Sequence, residues 1–597
     1  MKTVIYQLVV RYFGNTNLTR QKYGNIATNG CGKFAHISNA ALQSLKALGV
    51  THLWLTGCLR QATLTSYPGL PADDADVVKG TAGSFYAIRD YFDVCPDYAE
   101  VPENRMAEFT ALLARIHANQ LKVLIDFVPN HVARGYESVV QPNLNFGLGD
   151  DQSQFFARNN DFFYTGDPGV GLRLSKDDWW NPPGQVFDGM FERENGSPGH
   201  RPKVTGSNFS GVAPSPGEWY ETIKLNYGYD FKTGASDYQQ RPRTWDVMDR
   251  VIAYWQEQGV DGFRCDMAHK VPHAFWSFLI GEARRRKADS YFVAEAYFGW
   301  GDSEPVKSMP QLTQAGFDAI YHDETFKALR RIYQARGTQA DYDQQISFPL
   351  IQRECLLEYL ENHDELRIPA PTIDWEQPGN SGFNSAEAGY QLAPLQFLLS
   401  AGPVLLLNGQ EVGESGSDGN EGWRVRRGHT TFFDYWAMPE FTRWVNRHTY
   451  NDENLTVEQR GLRAFYCALL SLLCQDSAVQ STGYWGLKYY NNPQENPDRP
   501  ADLFSYARFA PHAGRVLVIV GNFRPNALTA GQIALPLELL TAAGLGGTAE
   551  VRLIFGRLGR LDEPMGKWDL QQLSQTGFPV SIPNQTTQVY CVARMTE

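Results

Sequence analysis

The chain of 597 residues carries 54 Lys and Arg against 66 Asp and Glu, a formal charge of -12. That length exceeds a single hydrophobic core, and the acidic balance argues against nucleic acid or an anionic membrane as partner. With 43% apolar, 20% charged and 13% aromatic residues, the composition is that of a folded globular protein with a surplus of aromatics.

The first segment, "VIYQLVV" within "MKTVIYQLVVRYFGN", reads as a strand, because Gln7 and Arg11 interrupt any leader-like apolar stretch and no small-residue cleavage site follows. A cytoplasmic location is the expectation. The eight cysteines, at 31, 58, 95, 265, 355, 467, 474 and 591, form no CxxC pair, which predicts free thiols and no zinc site. Further on, "LQFLLSAGPVLLL" from 395 is the longest apolar run, but Gly402 and Pro403 break it and it is too short to span a bilayer.

After the first strand, "ISNAALQSLKAL" predicts a helix stopped by Gly49, and "VTHLWLT" a second strand. A helix with Met106, Phe109, Leu112, Leu113 and Ile116 on one face leads to the strand "LKVLIDFV". Between 132 and 240 the periodicity gives way to Gly, Pro, Asn, Asp and aromatics, as in "NPPGQVFDGMFERENGSPGHRP". This is far too long for a simple connection and predicts an inserted domain. Alternation resumes with "TWDVMDRVIAYWQEQ", "DGFRCD", "HAFWSFLIGEARRR" and "SYFVAEAY" and continues to "PVLLLN".

Strands near 5, 53, 124, 263, 293, 318, 359 and 405 make eight βα units, which predicts a closed (β/α)8 TIM barrel of the α/β class over 1–131 and 241–479. A final helix opens with Thr456 and Gln459 at capping-box spacing. Beyond 480, "DLFSYARFA", "RVLVIVGNF", "VRLIFGRL" and "TQVYCVARM" predict a C-terminal antiparallel β-sandwich over 480–597.

Barrel active sites lie at the C-terminal ends of the strands. Four predicted strands close on polar residues: "LIDFVPNH" with Asp126, Asn130 and His131; "GFRCD" with Arg264 and Asp266; "FVAE" with Glu295; "YLENHDE" with Asn362, His363 and Asp364. One such carboxylate is usually a salt-bridge partner or a helix cap. Four such ends around one barrel make a constellation. Strand alternation puts Arg264 and Asp266 on the face toward the barrel mouth and Cys265 toward the helices. The pairing predicts an ionised Asp266, and the apolar neighbours Val293 and Ala294 predict a protonated Glu295. Two carboxylates about 5–5.5 Å apart are the arrangement of retaining glycoside hydrolysis.

These four segments resemble the conserved regions of the α-amylase superfamily, glycoside hydrolase family 13, and the resemblance covers about residues 1–480. It implies Asp266 as nucleophile, Glu295 as acid/base and Asp364 as transition-state stabiliser. Arg264, His131 and His363 would hold the sugar ring, and Asp126 would support Arg264. "SFYAIRDYFDV" resembles the segment that supplies a stacking tyrosine, here Tyr86, and "GPVLLLNGQEVGE" resembles the eighth-strand signature. The insertion would be domain B and the C-terminal part domain C.

The implied function is a retaining α-glycosidase for α-1,4-linked glucans or malto-oligosaccharides. The alternatives are a maltosyltransferase- or trehalose-synthase-like transglycosidase or isomerase, and a non-catalytic glycan-binding barrel. Met267, His269 and Lys270 depart from the common pattern after the nucleophile. Asn226 stands where relatives carry a calcium-completing aspartate, and "GNTNLTRQKYGN" lacks a carboxylate series. No metal or other cofactor is therefore expected to be required.

Overall fold

The computed structural model describes residues 2–167, 170–172, 201–297, 309–334, 339–347, 353–371, 382–491, 503–523 and 529–595. Part of the predicted inserted domain, 173–200, lies outside these residues.

The barrel strands are β1 (Val4–Val9), β2 (His52–Thr56), β3 (Lys122–Phe127), β4 (Gly262–Cys265), β5 (Tyr291–Ala294), β6 (Ala319–Tyr321), β7 (Leu356–Leu357) and β8 (Val404–Leu407). All neighbours run parallel, in the order β7-β6-β5-β4-β3-β2-β1-β8. A parallel bridge between Glu358 and Val404 closes the ring. The predicted seventh strand is thus shorter than its sequence suggested, and its chain bends away after Glu358 to deliver the 362–364 segment.

Helices cover the outside, as parallel strands buried on both faces require. Helix α1 (Asn39–Leu48) is capped by Ser38, which accepts from the Ala41 N–H, and ends at Gly49 in the left-handed region. Ala41, Leu42, Leu45 and Leu48 form its buried stripe. Helix α2 (Arg105–Ala118) buries Phe109, Leu112, Leu113 and Ile116. The predicted capping box of Thr456 and Gln459 starts the helix Val457–Gln475.

The insertion leaves the barrel after β3 and returns to it antiparallel: His131–Ala133 pairs with Thr222–Lys224. This ribbon aims the end of the insertion at the barrel mouth.

The C-terminal part has a six-stranded antiparallel sheet over which a two-stranded ribbon (Thr529–Ile533 with Phe578–Ile582) packs. It is a sandwich of unequal layers, whose core includes Val518, Val520, Val580 and Ile582. It docks on the helix Ala388–Phe397 through Gln391 Nε2 to Asn522 O at 2.6 Å and Tyr506 Oη to Leu395 O at 2.8 Å. No helix among the described residues is long and apolar enough to cross a membrane.

Candidate active site

The β3–β4 register sets Arg264 beside Asp126, and the β4–β5 register sets it beside Val293. Its guanidinium is 1% exposed and packs against the rings of Trp54, Tyr86 and Tyr321 at 5.1–5.7 Å. Nη1 lies 2.7 Å from Asp266 Oδ1, and Nη2 lies 2.8 Å from Glu295 Oε2. One cation therefore holds both carboxylates that close the adjacent strands β4 and β5.

The two carboxylates differ in their other partners. Asp266 Oδ2 has no hydrogen-bond partner among the described residues. Glu295 accepts from the Met267 N–H at 2.8 Å and from Tyr297 Oη at 2.9 Å. To present that N–H, Met267 adopts φ 46, a left-handed conformation that is strained for a side chain with a Cβ.

This arrangement reverses the expected division of charge. Burial and the nearby Glu295 charge push Asp266 up, against the pull of Arg264. Glu295 is lowered in spite of its burial, because Arg264, the Met267 N–H and Tyr297 stabilise its anion. Val293 and Ala294 pack within the strand, and the Glu295 carboxyl group reaches past them into a polar nest. The ligand-free pair thus favours its negative charge on Glu295.

Asp364 follows β7, and its Oδ2 lies 3.1 Å from His363 Nε2. Its side chain is 37% open, yet the surrounding protein and the charge on Glu295 push it up to about 8. His363 is buried and held far below its usual range, chiefly by desolvation and then by Arg264. Gln7 Nε2 is 2.7 Å from its Nδ1, which leaves Nε2 to donate toward Tyr86 Oη at 2.5 Å and Asp364. Burial likewise lowers His131 to about 3, with Lys224 adding to the effect.

A cavity of about 170 Å³ opens over this group, and Tyr86, His131, Asp266, Glu295 and Asp364 are in its wall. Arg264, Asp126 and His363 stand behind that wall and act on it through their partners. Asp126 accepts from Trp54 Nε1 at 3.1 Å and the Gly57 N–H at 2.8 Å, with Arg264 at 3.9 Å. The wall also contains Lys79, Trp219, Glu221, Phe432 and Phe433, which sequence reasoning missed. They belong to aperiodic segments that give no strand-end signal.

A family profile described as "Alpha amylase, catalytic domain" matches residues 18–459. The chain belongs to the alpha-amylase family. It is 25% identical over 390 residues to the "Alpha-amylase MalA" of Haloarcula japonica, a match that takes in 64% of this chain and 42% of that protein. A stretch of 83 residues, 14% of this chain, is 36% identical to the "Alpha-1,4-glucan:maltose-1-phosphate maltosyltransferase" of Pseudomonas aeruginosa and spans 12% of it. Among solved structures, an alpha-amylase from Lactobacillus plantarum superposes with a TM-score of 0.54 at 20% identity, over 97% of this chain and 98% of that one. That likeness concerns the fold.

In this alpha-amylase family chain, the junction of barrel and insertion is bridged by Lys224. Its ammonium donates to Asn130 Oδ1 and lies 3.4 Å from the Lys270 carbonyl oxygen. Asn130 Nδ2 in turn donates to Gly206 O at 2.8 Å. Among the described residues, no cluster of three or more His, Cys, Asp or Glu could hold a metal ion.

Proposed function

We propose that the chain is a retaining α-glycosidase acting on α-1,4-linked glucans or malto-oligosaccharides. The observation that carries this reading is Asp266: one carboxylate oxygen is anchored on Arg264 and the other is unpartnered, on the wall of a cavity that also holds Glu295 and Asp364.

In the first step Asp266 Oδ2 attacks the anomeric carbon while the glycosidic C–O bond breaks and Glu295 gives a proton to the departing oxygen. The titrations of Asp266 and Glu295 are coupled, and the proton must reside on Glu295 once the sugar is bound, since the nucleophile must be anionic. In the second step water loses a proton to Glu295 and displaces Asp266, so two inversions leave the α configuration. Asp364 and Tyr86, both positioned by His363 Nε2, hold ring hydroxyls, and Asp364 stabilises the charge that develops at the anomeric centre.

The second reading passes the same intermediate to a sugar acceptor, and the stretch similar to a maltosyltransferase favours it. Both readings require Asp266. Proton NMR of the first turnovers on maltotriose tests them: α-glucose as the initial product supports hydrolysis with retention, early longer oligomers support transfer, and β product contradicts both.

We also propose that no metal is needed. The residues at the barrel–insertion junction do not fit calcium, because the Lys224 ammonium supplies the positive charge between Asn130 and the Lys270 carbonyl and a hard cation wants several charged oxygens there.

A further inference from the structure

The cavity wall contains one acidic group that the proposed chemistry leaves unused. Glu221, at the end of the insertion, is 4% exposed, and its Oε2 has no hydrogen-bond partner among the described residues. Its Oε1 lies 2.7 Å from Lys79 Nζ, and both side chains are about as buried as the catalytic carboxylates, at 5% and 6% exposure. The ammonium is surrounded by the rings of Tyr220 at 5.3 Å, Trp423 at 5.5 Å and Phe433 at 5.9 Å.

The barrel order places this group. Lys79 follows β2, and Trp423 and Phe433 follow β8; these strands flank β1. Glu295 and Met267 follow β5 and β4, across the barrel. An acid that protonates the departing oxygen must stand on the leaving-group side. The Lys79 side is therefore the side of the retained sugar. The cavity of about 170 Å³ has room for about one sugar ring, and Asp364, Phe432 and Phe433 also line a neighbouring cavity of about 310 Å³.

We propose that Glu221, held by Lys79, accepts a hydroxyl hydrogen bond from the non-reducing terminal sugar, and that the pair closes the cavity behind that unit. The chain then removes sugars from chain ends. This rests on the reading of Asp266 and Glu295 as a glycosidase pair and specifies which bond they reach. Lys79 fixes one oxygen of Glu221 and leaves the other for substrate. Separating a buried ion pair is costly, which keeps the wall shut against a longer chain.

The test uses the full-length protein, maltose, maltoheptaose, and a maltoheptaoside blocked at its non-reducing end by a 4,6-acetal. Wild type is expected to shorten maltoheptaose one unit at a time and to leave the blocked substrate intact. Glu221→Ala and Lys79→Ala are expected to lose about 10- to 100-fold in kcat/KM on maltose and to gain cleavage of the blocked substrate. Glu221→Gln, which keeps the shape, should raise KM more than it lowers kcat and covers the case in which the alanine variants fail to fold. Blocked maltoheptaoside cut by wild type as fast as the free one, or variants that slow all substrates equally without new products, would overturn the proposal. Absence of wild-type activity on every α-glucoside would instead remove the glycosidase reading beneath it.

Discussion

Arg264 Nη2 lies 2.8 Å from Glu295 Oε2, so the group expected to serve as the acid is held as an anion in the ligand-free protein. The same guanidinium holds Asp266 through Nη1. Proton placement in this site is a property of the cluster, and substrate must shift it before the first bond breaks.

Replacing either carboxylate separates chemistry from folding. Glu295→Gln is expected to lower kcat by about 10²–10⁴-fold, and Asp266→Asn by at least as much. Asp266→Asn should leave the thermal midpoint near that of wild type, because the proton already favours Asp266, whereas Glu295→Gln should lower it, because it removes the anion that Arg264, the Met267 N–H and Tyr297 stabilise. Steady-state rates with calorimetry check this, and near-normal turnover in Asp266→Asn would remove the mechanism.

Tyr297 donates to Glu295 Oε1 at 2.9 Å and helps keep its anion stable. Tyr297→Phe deletes that donor, so Glu295 should hold its proton to higher pH. The alkaline limb of the kcat/KM profile is expected to move to higher pH. A limb that stays in place would mean that Arg264 and the Met267 N–H alone set the titration.

Asp126 illustrates the linkage between burial and stability. It is 2% exposed, and burial raises it from 3.8 to about 6 despite Arg264. A folded-state value above the unfolded one means that the folded protein binds the proton more tightly. Its contribution is therefore full below about pH 4 and is lost as pH rises through about 6. The loss is of order 2–3 kcal/mol. Denaturant midpoints of wild type and Asp126→Asn between pH 4 and 7 should differ in slope, the variant being flatter.

Lys224 ties the insertion to the barrel from a 5% exposed position. Lys224→Met leaves Asn130 Oδ1 and the Lys270 carbonyl without that donor and is expected to cost about 2–4 kcal/mol, seen as faster hydrogen exchange across His131–Ala133 and Thr222–Lys224. Wild type should keep its thermal midpoint in excess EDTA. A midpoint that falls with chelator would contradict the metal-free reading.

The left-handed Met267 sets backbone strain against side-chain packing. Met267→Gly relieves the strain at φ 46 while keeping the N–H that Glu295 accepts. A net loss of about 1–3 kcal/mol is expected, because removing the 6% exposed Met267 side chain and freeing the unfolded chain outweigh the strain relieved. Differential scanning calorimetry checks this, and a raised midpoint in Met267→Gly would mean that the strain at φ 46 exceeds the packing of the side chain.

The sequence by itself determined the barrel, the insertion after the third strand, the antiparallel C-terminal part and the strand-end positions of Asp266 and Glu295, whereas Asp364 sits beyond the short strand Leu356–Leu357 on a segment that bends away from it. Those features are local: alternation along a strand and the period of a helix dictate which face a residue takes, whatever the remainder of the chain does. Only the tertiary structure decided what those carboxylates meet. Val293 and Ala294 suggested an apolar setting for Glu295, but Arg264, the Met267 N–H and Tyr297 converge on it from three separate positions. The pairing of Lys79 with Glu221 and the placement of the Lys224 ammonium likewise join segments from different βα units. Aperiodic loops carry no local signal of where they meet, because their geometry is imposed by the closed ring of strands beneath them.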